Sequence, residues 1–209
     1  MVVIIGNQKG GAGKSTLTLL LANYLTLSKK KGVIVLDLDY QQSISQKYEK
    51  AKMLENEEPY QVIPAGLDHF PDMAEVLLTT EDKIILIDLP GKLDDDGLIP
   101  IFKAADLVLC PFAYDEMSFE STIFFSIVLR KINAKVPVCF IPNRSKANVR
   151  WDTQRDVDEQ LEKFGTVSQK IPDRVDFQRV NTQQTPLAVS PILTDVLGPI
   201  YDQYFKNNL

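Results

Sequence analysis

The chain has 209 residues, 44% hydrophobic and 24% charged, with 23 Lys and Arg against 28 Asp and Glu. This is an ordinary soluble balance with enough apolar material for a large core, and the net charge of -5 excludes polyanion binding by bulk charge, so nucleic acid would need a local basic patch. Cys110 and Cys139 lie in apolar runs, as reduced core thiols do, and no C-x-x-C pair, signal-peptide pattern or run near ~20 apolar residues is present, which reads as a cytoplasmic protein without a membrane span.

In chain order, Val2 to Ile5 is a β-branched run closed by Gly6, a buried-strand signal. A glycine loop follows, then Ser15 to Ser28, unbroken by Gly or Pro, which predicts a mostly buried helix. Lys29 to Lys31 suit the negative end of that helix, and Gly32 is expected to close it. Val33 to Leu38 predicts a second strand, Ser43 to Asn56 a helix, Tyr60 to Ile63 a short strand and Asp72 to Thr79 a short helix. Lys83 to Asp88, Leu107 to Pro111 and Val136 to Ile141 predict three more strands, with a helix over Ser118 to Ile132 between the last two. Asp152 to Phe164 is amphipathic and charged, as a surface helix is. Gly165 to Ile171 predicts a last strand, and Ile192 to Asn207 a C-terminal helix kinked at Gly198-Pro199. Apolar strands alternating with helices imply an α/β fold, a doubly wound, mainly parallel sheet with helices on both faces. No repeat or linker divides residues 1–209, so a single domain is expected.

The chemistry starts at Asn7 to Thr16, NQKGGAGKST. Gly10, Gly11 and Gly13, with Ala12 between them, let the backbone curl so that N–H groups point inward at a phosphate, and the following helix adds its positive end. Lys14 would reach the outer phosphates and the Ser15 hydroxyl, followed by Thr16, would hold Mg2+. A standard loop carries glycine six residues before that lysine; here Gln8 stands there, and a second lysine, Lys9, follows. Asp37 and Asp39 end one strand and Asp88 another. Buried strand-end carboxylates are costly unless they serve a ligand or cap a loop, and Mg2+ takes such oxygens.

NQKGGAGKST, DLDYQQS, IILIDLPG, KAADLVLCPFAYDEMSFEST and IPNR together resemble the ParA/MinD superfamily of deviant Walker ATPases, within the P-loop NTPase fold. The closest likeness is to small ParA-type partition proteins. The resemblance covers nearly the whole chain and weakens after Asn148. It implies that Lys9 reaches across a nucleotide-sandwich homodimer to the partner's phosphates while Lys14 serves its own subunit. Asp39 matches the carboxylate associated with the attacking water, Asp37 an outer Mg2+ contact and Asp88 the Walker B residue. Asn143 matches the asparagine that reads adenine, with Arg144 beside it, and Pro172-Asp173-Arg174 falls at a second adenine-side loop. Tyr40 replaces the family's usual proline, while Gln41 is kept. The stretch from Asp39 to Asp88 is shorter than in many relatives. Asp94 to Asp96 reads as a solvated loop.

The resemblance implies a slow, Mg2+-dependent ATPase that dimerises on ATP, binds DNA nonspecifically and answers to a site-binding adaptor, segregating a plasmid, chromosomal region or mobile element. Lys146, Arg150, Arg155, Lys170, Arg174 and Arg179 are the candidate DNA contacts, though each taken singly is a solvated surface charge. The alternative is MinD-like membrane cycling, which requires a basic amphipathic terminal helix that YDQYFKNNL does not supply. Cys110 and Cys139 lie inside predicted strands, against a metal-cluster carrier; no tyrosine cluster suggests a kinase; His69 has no assigned role.

Overall fold

The structure is a computed structural model in which residues 1–77, 79, 82–92, 95–146 and 153–206 are described. Asp94, read from sequence as part of a solvated loop, and Asp152 and Asn207, read as helix ends, lie outside those residues. Seven strands form one parallel sheet in the order β3-β2-β4-β1-β5-β6-β7: β1 (Val2–Ile5), β2 (Gly32–Asp37), β3 (Gln61–Pro64), β4 (Lys83–Asp88), β5 (Leu107–Phe112), β6 (Val138–Pro142) and β7 (Thr166–Val167). The period of two explains why the strands read as apolar throughout. Val3, Ile5, Val33, Val35, Ile84, Leu86, Leu107 and Leu109 face one core, while Val2, Ile4, Ile34, Leu36, Ile85, Ile87, Val108 and Cys110 face the other.

Helices α1 (Lys14–Asn23), α2 (Ser43–Met53) and α7 (Ser190–Tyr204) cover the first face through residues such as Leu17, Leu21, Tyr48, Val196 and Leu197. Helices α3 (Phe70–Leu77), α4 (Leu98–Ala104), α5 (Glu116–Ile132) and α6 (Gln154–Leu161) cover the second through Phe70, Phe102, Phe125, Leu129 and Leu161. Both cysteines are free and buried.

The strands fall where the sequence places them, with three differences nearby. Gly32 does not close the first helix. The helix widens into a π turn over Tyr24–Ser28, the chain reverses at Lys30 with φ 56°, and Gly32 already opens β2. Lys29 instead lies over the Tyr24 and Tyr201 rings, at 5.4 and 4.5 Å from their centroids. The strand expected over Gly165 to Ile171 is reduced to Thr166–Val167, because its neighbour β6 ends in Pro142, which lacks an N–H to donate. The expected C-terminal helix is α7, with Gly198 and Pro199 inside it, and its apolar residues Leu193, Val196, Leu197 and Ile200 are buried in the core. α4 has no counterpart in the sequence reading, since Pro100 and the aspartates before it conceal a helix of seven residues. Among the described residues no helix is long and apolar enough to cross a membrane.

One close approach fixes the route from α6 to β7. A Cβ on Gly165 would stand 2.2 Å from the Val138 carbonyl oxygen and 2.9 Å from its carbon, both backbone atoms of β6. Gly165→Ala is therefore expected to destabilise the fold by about 2–3 kcal/mol, as overpacking against an immovable neighbour does. A chemical-denaturation midpoint equal to that of the wild type would contradict this.

Candidate functional site

The glycine loop joins β1 to α1 at the C-terminal edge of the sheet, where ligands of open α/β sheets bind. Gly11 and Gly13 take φ of 75° and 94°, conformations open to glycine, so that the chain turns sharply into α1. Two clefts meet at Gly13, Thr16 and Arg144. The first, of about 370 Å³, is lined by Gly10, Gly11, Lys14, Ser15, Asp39, Tyr40, Gln41, Ser43, Gly91 and Lys92. The second, of about 230 Å³, has an apolar floor of Leu17, Leu20, Ile171 and Phe177, with Asn143, Pro172, Asp173, Arg174 and Gln178 around it. Together they form one trough, with the glycine loop at one end and the Leu17, Leu20, Ile171 and Phe177 side chains at the other.

Beneath the glycine-loop end lie Asp37 and Asp88, paired in register across β2 and β4 and fully buried. One Asp37 oxygen accepts from the Ser45 N–H and hydroxyl, both at 2.8 Å, and one Asp88 oxygen accepts from the Thr18 hydroxyl at 3.2 Å. The other oxygen of each, Asp37 Oδ1 and Asp88 Oδ2, has no partner among the described residues. Burial pushes the Asp88 carboxyl up to about 7 against the opposing pull of Ser15, Lys14 and Thr18, and burial raises Asp37 as well. The Lys14 ammonium is also buried, which lowers its pKa although Asp88 and Asp39 favour its charge. Its Nζ donates to the Lys9 carbonyl at 3.3 Å. Two buried carboxylates with bare oxygens beside a serine hydroxyl are the donor set a hard divalent cation takes, and Mg2+ fits them.

Of the residues named from sequence, Gly10, Gly11, Gly13, Lys14, Ser15, Thr16, Asp39, Asn143, Arg144, Pro172 and Asp173 line the trough. Ala12 is buried, with its carbonyl accepting from Asn143 Nδ2 at 2.8 Å. Lys9 lines neither cleft, although its N–H donates to Asn7 Oδ1 at 3.1 Å. Asp39 Oδ1 accepts from the Gln41 N–H at 2.9 Å, ordering the turn into α2. Arg144 and Gln42, with φ of 54° and 46°, are non-glycine residues held in the left-handed region beside the trough. The sequence reading missed Thr18, Ser45, Lys92, Phe177 and Gln178. Thr18 stands one helical turn after Lys14 and was open to discovery on spacing; the others depend on how distant segments meet.

Most of the candidate DNA contacts are engaged locally. Arg155 pairs with Glu159 at 2.8 Å, Arg174 and Arg179 approach Asp176 at 3.7 and 3.9 Å, and Lys170 donates to Gln154 at 2.6 Å. Lys146 is exposed, and Arg150 lies outside the described residues. Exposed pairs of this kind are weak and exchange readily for phosphate.

No curated protein matches the chain in sequence. Among solved structures, a putative plasmid partition protein from Borrelia burgdorferi bound to AMPPNP is 25% identical, with 85% of this chain and 87% of that chain covered and a TM-score of 0.67. The MinD cell division protein of Aquifex aeolicus, 17% identical over 91% of this chain and 90% of that one, and an ATP complex of a Cyanothece McdA variant, 16% identical over 96% and 95%, share the fold with TM-scores of 0.69 and 0.70. The model of the CobQ/CobB/MinD/ParA nucleotide binding domain matches residues 3–187. With the glycine loop, the strand-end carboxylates and the all-parallel sheet in one arrangement, the chain belongs to the CobQ/CobB/MinD/ParA nucleotide-binding family.

Proposed function

We propose that the chain is a partition-type ATPase in which ATP with Mg2+ assembles a homodimer, the dimer binds DNA without sequence preference, and hydrolysis, stimulated by an adaptor, releases it. The observation that carries the reading is the pairing of a glycine loop and buried Lys14 with the bare oxygens of Asp37 and Asp88. The nucleotide-bound Borrelia relative, described as a putative plasmid partition protein, supports the choice of ATP and of a partition role. A single domain spanning residues 1–209 is part of the proposal.

In this reading the triphosphate lies along the loop from Gly10 to Ser15, and the base enters the apolar slot between Leu20 and Phe177. Lys14 neutralises the outer phosphates. Ser15 and Asp88 would hold Mg2+, with Asp37 and Asp39 in its outer surroundings, and the ion would supply charge neutralisation for the phosphates. Asp39 orients the attacking water. Lys9 lines neither cleft of its own subunit and, in this reading, serves the neighbouring subunit's site. Catalysis by positioning and charge then waits on assembly, so hydrolysis is slow in the monomer.

The test is sizing with ATP and Mg2+, then with ADP, followed by duplex binding at two salt concentrations. A dimer with ATP alone is expected, together with duplex binding that requires ATP and weakens steeply with salt as counterions are released. A monomer under every condition, or duplex binding indifferent to nucleotide and salt, would remove the proposal.

A further inference from the structure

We propose that Lys92 contacts the terminal phosphate bound in its own subunit and so sets a preference for a triphosphate over a diphosphate. This rests on reading the trough as a nucleotide site. Lys92 lines the glycine-loop cleft together with Gly10, Lys14, Ser15 and Asp39. It is not among Gly13, Thr16 and Arg144, the residues that this cleft shares with the second one. Its neighbour Gly91 shows which end of the ligand it meets. A Cβ on Gly91 would stand 3.5 Å from Gly10 Cα and 3.6 Å from Lys14 Nζ, the ammonium assigned to the outer phosphates. The chain therefore crosses over the phosphate loop at Gly91, and Lys92 follows at once.

The backbone around Lys92 is held on both sides. Before it, β4 ends at Asp88, the Leu89 N–H donates to the Ile5 carbonyl at 3.1 Å, and the Leu89 side chain is buried. After it, Asp95 Oδ1 accepts the Gly97 N–H at 2.8 Å just ahead of α4, and Asp95 Oδ2 accepts the Tyr40 hydroxyl at 3.4 Å. Tyr40 lines the same cleft, so this contact ties the segment after β4 to the segment after β2. Only the Lys92 side chain is left to order when a ligand arrives, which keeps the entropic cost of the contact small. That side chain is exposed and makes no hydrogen bond or ion pair with the described residues, so it gives up no partner by turning to a phosphate.

The surrounding charges give such a cation a purpose. Asp39 stands on the cleft wall, and Asp37 and Asp88 lie buried beneath the loop, so carboxylates border a site for an anion. Lys9 lines neither cleft of its own subunit, and Arg144 stands where the two clefts join. Lys14 and Lys92 are then the lysines that a single subunit can bring to the outer phosphates in company with Lys14's neighbour Gly91. An ammonium on a flexible four-carbon stem meets a phosphate as a point charge and needs no fixed approach. A diphosphate lacks the outermost group, so losing Lys92 should penalise the triphosphate alone.

The experiment measures Kd for the ATP analogue AMPPNP and for ADP, each with Mg2+, on the wild type, Lys92→Gln and Lys92→Arg. The same set is measured in a Lys9→Ala background, which removes the lysine assigned to the neighbouring subunit. Thermal unfolding accompanies each titration, and replacement of this exposed side chain is expected to leave the midpoint in place. Lys92→Gln is expected to weaken AMPPNP by about fivefold or more and ADP by less than about twofold, in both backgrounds. Lys92→Arg keeps the charge and is expected to recover most of that loss. A preference for AMPPNP over ADP that Lys92→Gln leaves unmoved, or that Lys92→Arg lowers equally, would overturn the proposal. An effect confined to the protein that keeps Lys9 would overturn it too, since it would assign Lys92 to the contact between subunits. Failure of the wild type to bind either nucleotide would defeat the nucleotide reading beneath it.

Discussion

Lys9→Ala is expected to bind ATP nearly as well as the wild type and yet hydrolyse it at least about a hundredfold more slowly, with loss of the ATP-dependent dimer. Binding survives because the contacts that Lys9 makes with its own loop are main-chain ones. Its N–H donates to Asn7 and its carbonyl accepts from Lys14, and alanine keeps both. The ammonium lines neither cleft of its own subunit, so removing it takes nothing from the local site. On the proposed cross-subunit reading, hydrolysis would fail because a positive charge delivered from a neighbour would stabilise the transferring phosphoryl group, an effect worth roughly 10³–10⁵ where arginine fingers supply it. Lys14→Ala provides the contrast, since loss of the buried ammonium is expected to abolish ATP binding itself. Mixing Lys9→Ala with Asp39→Ala, which keeps its Lys9, should restore part of the activity, because the mixed dimer contains one complete site. Hydrolysis at the wild-type rate by Lys9→Ala alone would end the cross-subunit mechanism.

The fold was legible because its sheet is parallel and covered on both faces. Strands such as Gly32–Asp37 and Lys83–Asp88 then carry unbroken apolar runs that mark their own ends, and the aspartates at those ends point to the candidate site. The glycine loop was legible for a related reason, since its conformation demands glycine at Gly11 and Gly13 whatever surrounds it. What escaped depends on contacts between remote segments. Ser45 matters only because α2 returns to Asp37, and Phe177 only because a short helical turn over Val175–Arg179 folds onto α1. Neither residue advertises this locally. The short C-terminal strand illustrates the opposite failure, where local β propensity in Gly165 to Ile171 was limited by a proline on the neighbouring strand.

Asp88→Asn is expected to stabilise the nucleotide-free, metal-free protein at pH 8 by roughly 2–4 kcal/mol while lowering hydrolysis by at least about a hundredfold. Asp88 is fully buried, its Oδ2 has no partner among the described residues, and its register neighbour Asp37 is a second carboxylate. Burial raises its pKa from 3.8 in the unfolded chain to about 7 in the folded one. Between those values the folded state keeps a proton that the unfolded state has lost, so stability falls as pH rises through that window and levels off above about 7. Asparagine is neutral throughout, and its side-chain oxygen can still accept from Thr18, so the advantage of the variant should grow from pH 4 to pH 7 and vanish in acid. Adding Mg2+ and ATP reverses the order, since the wild-type carboxylate gains a cation that the amide binds poorly. Asp37→Asn is the control. Ser45 already donates two hydrogen bonds to Asp37, and replacing the carboxylate weakens both, so no comparable gain follows there. Equal or lower stability of Asp88→Asn at pH 8 without metal would show that Lys14 and Thr18 already satisfy the carboxylate, and that its bare oxygen does not await a cation.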